Sequence, residues 1–493
     1  MTSLKKLLVA LAVIVTGLIV YNTCSANPDV PKNITTPDLV KTKTVGDLKF
    51  KDGYPSDETM TKVQQYMYIQ RAVNVFVDGI PASSMHALLE GGKSIGSKPN
   101  KSVTISESLM DANSLFLTPN TTTPYVLMEF DVKEGPMVID VHSPVLGLID
   151  DAFFEYVGDV GLGNPKDGGK GGKYLLVHDS YKGNIPDGYI VLKTQSYRHW
   201  GAFSLNSVDG IQQFKDTFRM YPLGTNPYKI DYINYSGKQY NTVHANNEEL
   251  YHELNEVIQY EPLSSGDPHF RGLAASIGIQ KGKPFAPKGK QLEALKEDAG
   301  IANVHARNEA FRPTNSETYF YGEKRKWFLP FGSTFSHEFI QDGRVFLDDR
   351  TAFHYIATGI TPLMIKKFDG AGSSYLVTTQ DDKGRALDGN QTYTITLPPN
   401  PPMKRFWSFM VYDNQTRSIL ATDQKSGGFD SKGDVVKNKD GSVTVTFSAK
   451  KPNGKSNWVQ TLPNKGLFVM FRMYSPTQDW HDRKYMIGDL IKQ

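Results

Sequence analysis

The residues best equipped for chemistry lie between positions 406 and 474. Trp407, Tyr412, Trp458 and Tyr474 are aromatic, and Asn457 and Arg472 stand among them. Aromatic faces with an amide and a guanidinium suit a small molecule or an oligosaccharide, because they combine apolar area with a few fixed hydrogen bonds. The same aromatics on β-strands also serve as ordinary core. Arg472 weighs for a site, since a guanidinium beside Phe468, Met470 and Tyr474 needs an acceptor. Asp413 or Asp388 is the partner the sequence offers, and either would make the group structural. A second group is acidic: Asp150, Asp151 and Asp159, next to the Gly-rich residues 158–172. Carboxylates with loop carbonyls are calcium-type ligands, so a divalent cation is the cofactor left open. A solvated turn is the plainer reading of the same residues. On a single strand, Asp151, Glu155 and Asp159 would share a face with neighbours about 13 Å apart, too far for a directly acting carboxylate pair.

Other motifs fall away on context. The 11 histidines include no H-E-x-x-H, and His252-Glu253 and His337-Glu338 each lack the second histidine. Gly92-Lys93-Ser94-Ile95-Gly96 matches G-x-S-x-G, but a helix-like run precedes it where a nucleophile elbow needs a strand, so a flexible loop is expected. Gly91–Ser94 resembles the end of a phosphate loop, yet Ala87 stands where its first glycine belongs. The glycines of 158–172 lack dinucleotide spacing. No nucleotide is expected. A net charge of +3 gives no electrostatic case for nucleic acid or an anionic membrane.

The elements that must carry these residues are mostly strands. In 406–413, Phe406, Ser408, Met410 and Tyr412 point one way, and Trp407, Phe409 and Val411 the other. Both faces are largely apolar, which predicts a central strand covered on both sides. Residues 467–474 read the same way. Val443, Val445 and Phe447 alternate with Thr444, Thr446 and Ser448, a strand with one wet face. Ser56 N-caps a helix that runs through Met60, Val63 and Met67 to Asp78-Gly79, with a second short helix over 83–89. Strands are expected at 126–132, 137–141, 151–157 and 200–205. Helices are expected at 207–220, 247–260, 273–279, 292–298 and from 348 to about 365.

Lys5-Lys6, the apolar run 7–21 and Ser25-Ala26 read as a secretory signal, expected to be cut after Ala26, with a retained anchor or a lipid on Cys24 as the alternatives. Removal takes away Cys24, the only cysteine, and with it any disulfide or thiolate chemistry. The processed chain is expected to be periplasmic or extracellular, free of the membrane and compatible with a homo-oligomer.

The ordered series Leu387-Asp388-Gly389, Tyr393, Leu397-Pro398, Phe406-Trp407-Ser408, Tyr412-Asp413, Asp440-Gly441-Ser442, Asn457-Trp458 and Arg472-Met473-Tyr474 resembles the domain-of-unknown-function family numbered 1214. Residues 117–125, a Pro119-Asn120 and threonine segment before a Tyr125-led strand, resemble its companion family numbered 1254. So do Asp150-Asp151, Asp159-Val160-Gly161, Gly171–Tyr174 and Ile185–Tyr189. Asn120 and Tyr125 join the ligand-binding candidates on this resemblance. It also implies an arginine within 200–205, where this chain has Ser204; if that arginine serves a ligand, this chain lacks the contact. Neither family name implies an activity.

The expected fold is β-rich α+β: two β-sandwich or jelly-roll-like modules with a helical middle. The divisions are a signal peptide (1–26), an N-terminal arm (27–52), a 1254-like module (53–206), a helical middle with short strands (207–365) and a 1214-like module (366–493). Two functions fit. One is a hydrolase acting on a small or oligomeric compound in an inter-domain cleft. The other is a non-catalytic ligand-binding protein, for carbohydrate among others, or a structural protein of the cell envelope. A His/Asp/Glu cluster on the cleft floor would favour the first.

Overall fold

The computed structural model describes residues 30–493 apart from 165, so the expected signal segment and Cys24 lie outside the described residues. These residues form two compact units, 30–70 and Arg71–Gln493. In the first, Leu39–Thr42, Gly46–Lys51 and Tyr54–Pro55 build a three-stranded antiparallel sheet. The extended arm expected over 27–52 is therefore largely a hairpin. Val40 and Thr42 alternate with exposed neighbours, as do Leu48 and Phe50, and Gly46 turns the chain at φ 81°. Ser56 caps the following helix as expected: its hydroxyl accepts from the Thr59 N–H at 3.2 Å.

That helix, Asp57–Ser94, is continuous through Pro81. The break expected near Gly79-Pro81, and the separate short helix, are corrected. Packing overrides the local signal here. A Cβ on Gly79 would stand 2.4 Å from Leu254 Cδ1, so the glycine lets the helix Glu249–Tyr260 come close rather than ending its own helix. The Tyr251 hydroxyl donates to the Ala72 carbonyl at 3.1 Å, and Phe76 meets the Tyr251 ring edge-on. The loop expected around Ser94 is the helix end, where the Ser94 hydroxyl donates to the Gly91 carbonyl at 2.6 Å. The neighbouring helices run Gly210–Thr217, Pro268–Ser276, Lys290–Phe311, Leu347–Ile356 and Pro362–Ile365. None of the described helices is long and apolar enough to cross a membrane.

The N-terminal module has a six-stranded sheet in the order Asp231–Asn234, Ser102–Ile105, Tyr125–Asp131, Arg198–Leu205, Val145–Asp151, Tyr156–Gly161. A four-stranded sheet follows the order Ile190–Thr194, Gly172–His178, Met137–Val141, Arg219–Pro222. Val126, Met128, Phe130 and Phe203 share a core with Ile139 and Tyr174 of the second sheet. The opposite face of the large sheet carries Leu127, Leu148, Trp200 and Ala202 against Met85 and Leu88. Residues 152–155 are a turn, not part of a strand over 151–157, so Val145–Asp151 and Tyr156–Gly161 pair antiparallel.

The C-terminal module repeats this layering. One sheet runs Ser373–Thr378, Leu467–Tyr474, Trp407–Asp413, Gly428–Asp430; the other runs Asn457–Gln460, Val443–Ser448, Tyr393–Leu397, Ile491–Lys492. Trp407, Phe409, Val411, Val469 and Phe471 face Val445 and Phe447 of the second sheet. Met410, Tyr412, Phe468 and Met470 form a second core on the other face. Both faces are thus covered as the two apolar alternations require. The fold is α+β and β-rich, with open sheets.

Candidate functional site

The outer faces of the two large sheets bound a cavity of about 370 Å³. Leu127, Leu148, Trp200, Ala202 and Ser204 line it from the N-terminal module, and Tyr375, Met470, Arg472 and Tyr474 from the C-terminal module. Residues 116–120 and 357–364 contribute the sides. Period-two alternation explains the choice of wall residues. On Leu467–Tyr474 the even positions face outward, and antiparallel pairing sets Tyr375 directly opposite Arg472.

Arg472 is 5% exposed. Its Nη2 donates to the Thr118 carbonyl at 2.7 Å, the Pro119 carbonyl at 3.3 Å and the Tyr412 hydroxyl at 2.7 Å. Its Nε is buried and has no acceptor among the described residues. The guanidinium lies 5.5 Å from the Tyr375 ring centre, and the Tyr474 hydroxyl stands beside it and Thr122. The expected carboxylate partner is corrected. Asp413 binds Lys465 Nζ at 2.7 Å and caps the following turn through the Gln415 N–H, while Asp388 caps its own turn at Asn390. Burial pushes the Tyr412 hydroxyl up to about 12, against the pull of Arg472, so the surrounding tyrosines are neutral dipoles and do not supply a negative charge.

The loop that holds Arg472 is itself constrained. Thr118 sits at φ 38°, an uncommon conformation for a β-branched residue. Its N–H donates to the Arg417 carbonyl at 2.9 Å. Asn120 Oδ1 accepts from the Thr122 N–H at 3.0 Å and hydroxyl at 2.6 Å, an Asx turn that aims this segment at the cavity. Ser204 also lines the cavity, and its hydroxyl donates to Thr123 Oγ1 at 3.0 Å.

The acidic candidates do not converge. Asp151 faces away from Asp150 and accepts from the Ser196 hydroxyl at 2.7 Å and from the Phe153 and Glu155 N–H groups. Asp150 is fully buried; one oxygen accepts from the Ile360 N–H at 2.8 Å and the other has no partner among the described residues. Burial holds its carboxyl well above the usual range. Asp159 reaches the cavity wall, where the Thr361 hydroxyl donates to it at 2.6 Å; burial raises its carboxyl, while Thr361 and Tyr156 pull the other way. No three metal-ligating side chains come together among the described residues.

Arg472, Tyr474, Asn120, Tyr125 and Asp159 therefore meet at one cavity. Tyr412 stands a layer behind, holding Arg472 and the Pro119 carbonyl. Trp407 is core. Asn457 pins Val436 with a pair of 2.8 Å bonds, and Trp458 donates to the Ser448 carbonyl at 3.0 Å. The sequence reading missed Trp200, Tyr375 and Thr361. Tyr375 was within reach of it, since its strand alternates and lies against the one bearing Arg472.

Fold and site together define a tandem α+β protein with a small-molecule-sized cavity between its two modules. Residues 99–222 match the model of the protein family of unknown function DUF1254, and residues 372–478 that of DUF1214, so the chain carries both domains in that order. The chain is similar to the VPA0106 protein of Vibrio parahaemolyticus, with 16% identity and a TM-score of 0.52 over 86% of this chain and 100% of that one. An uncharacterized protein of Burkholderia cenocepacia aligns at 11% identity and a TM-score of 0.37, over 89% of this chain and 91% of that one. No curated protein matches significantly.

Proposed function

We propose that the chain is a small-molecule-binding protein whose ligand occupies the cavity between the DUF1254 and DUF1214 modules. The carrying observation is the cavity itself: about 370 Å³, walled by Trp200, Leu148, Met470 and Tyr375, with Arg472, Asn120 and Asp159 among its polar groups. Small-molecule sites span roughly 300–1,000 Å³ and are mostly apolar with a few placed polar groups. A hydrolase would need a nucleophile beside a base. Among the described residues lining the cavity, Asp159 is the only carboxylate and none is a histidine. Trp407, Asn457 and Trp458 are not wall residues and play no part in this reading. The test is titration with N-phenyl-1-naphthylamine, a neutral fluorescent probe. One saturable site is expected, and Ser204→Phe, which fills the cavity, should abolish it without lowering the melting temperature by more than a few degrees. Unchanged binding to that variant would move the site elsewhere.

We further propose export. Lys5-Lys6, the apolar run and Ser25-Ala26 support a mature chain beginning at Asn27. Intact mass of the protein from its own host decides this; a full-length mass or a lipid on Cys24 would refute it.

A further inference from the structure

Resting on the cavity reading above, we propose that the ligand is an amphipathic monocarboxylate, its carboxylate seated at Arg472 and its apolar body along the outer face of the six-stranded sheet. A guanidinium that is 5% exposed, with its Nε unpaired and no ion pair among the described residues, is a costly arrangement unless an anion completes it. All the acceptors found for it, Thr118 and Pro119 carbonyls and the Tyr412 hydroxyl, are engaged through Nη2. The rest of the fork has no carbonyl or carboxylate partner among the described residues, although the residue lines the cavity. Arg417 supplies the contrast. It is as deeply buried, but its Nε, Nη1 and Nη2 each have an acceptor, and it does not line the cavity.

The number of charges selects the anion. Arg472 is the only buried cation among the described residues of the cavity wall, and the groups around it are the phenol side chains of Tyr125, Tyr375 and Tyr474. One cation with neutral donors matches a single negative charge and two acceptor oxygens. A phosphate monoester would bring a second charge with nothing buried to meet it. The exposed Arg405, also on the lining, attracts anions of either kind at the surface but does not distinguish them. Leu127, Leu148, Trp200 and Ala202 of the six-stranded sheet give the wall an apolar stretch that takes an alkyl or aryl body, with Asp159 and Thr361 at its side.

The experiment is displacement of N-phenyl-1-naphthylamine from the full chain by decanoate, decanamide and decyl phosphate. Decanoate is expected to displace it at a concentration at least about tenfold lower than either analogue, since the acid alone gains a charge-assisted bond at no cost in stranded charge. In Arg472→Met, decanoate should fall to the level of decanamide, with decanamide itself unchanged. Should that variant not fold, the comparison of the three compounds on the unaltered protein decides alone. Equal displacement by decanoate and decanamide overturns the carboxylate while leaving the cavity reading intact. Tighter binding of decyl phosphate overturns the monoanion in favour of a phosphoryl group. Failure of the fluorescent probe itself to bind removes the cavity reading and this inference with it.

Discussion

Replacing His354 by Phe is expected to flatten the acid side of the stability profile, so that between pH 5.5 and 3.5 the variant loses about 1.4 kcal/mol per pH unit less than the unaltered chain. Buried groups of two kinds act on that profile in opposite senses. His199, His244 and His354 are each at most 3% exposed, and burial lowers each imidazole from 6.5 to about 3. Their contribution is present above pH 6.5 and is lost as pH falls, because the unfolded chain takes up three protons that the folded chain refuses. Glu129, Glu253 and Glu261 behave oppositely. Burial raises each from 4.5 to about 7, so their contribution is full below pH 4.5 and is lost as pH rises through 7. Between 6.5 and 4.5 the two kinds oppose each other, and Asp150 and Asp159, also raised by burial, act with the glutamates. The contribution of the three histidines continues below 4.5. Each then contributes about 1.4 kcal/mol per pH unit. Chemical unfolding at half-unit intervals measures it. His354→Phe keeps the ring contacts to Phe154 and Phe339. An unchanged acid slope in that variant would refute the contribution of this buried imidazole.

None of those buried groups was assigned by the sequence reading, whereas much of the sheet architecture was. Period two is a local property, so the parity of residues 406–413 and 467–474 could be read directly, and it placed Trp407 and Tyr412 on opposite faces. That parity also separates the aromatic candidates: Tyr412 and Arg472 share a face, and Trp407 belongs to the other core. What residue spacing could not carry was contact over long separations. The carbonyls that hold Arg472 belong to Thr118 and Pro119, 354 and 353 positions away, and no periodicity links the two. The helix break at Gly79-Pro81 failed for the same reason, since Leu254 decides it. The acidic set failed differently. A strand over 151–157 leaves out the turn at 152–155, which folds Tyr156–Gly161 back on Val145–Asp151 and brings Asp159, of the three aspartates, to the cavity.

Arg417→Met is expected to lower folding stability by about 3–5 kcal/mol at pH 7, while the folded fraction binds N-phenyl-1-naphthylamine as the unaltered chain does. The side chain is 1% exposed and ties three segments together. Nε donates to the Tyr355 carbonyl at 3.2 Å, Nη1 to the Gln415 carbonyl at 2.9 Å and Nη2 to His244 Nε2 at 3.3 Å. Tyr355 lies in the last turn of Leu347–Ile356, where the helix dipole favours a cation, and its ring centre is 4.3 Å from the guanidinium. A methionine fills the volume but strands two carbonyls and a ring nitrogen, each costing about 1–3 kcal/mol when left buried and unpaired. It also removes the charge that helps hold His244 neutral, a smaller contribution than burial. Arg472→Met should separate from this variant in both readouts, with a smaller loss of stability and a specific loss of decanoate binding. Thermal and denaturant unfolding of the two variants side by side makes the comparison. An unchanged melting temperature for Arg417→Met would show that full hydrogen bonding does not mark a buried arginine as structural, and would remove the contrast by which Arg472 is assigned to the ligand.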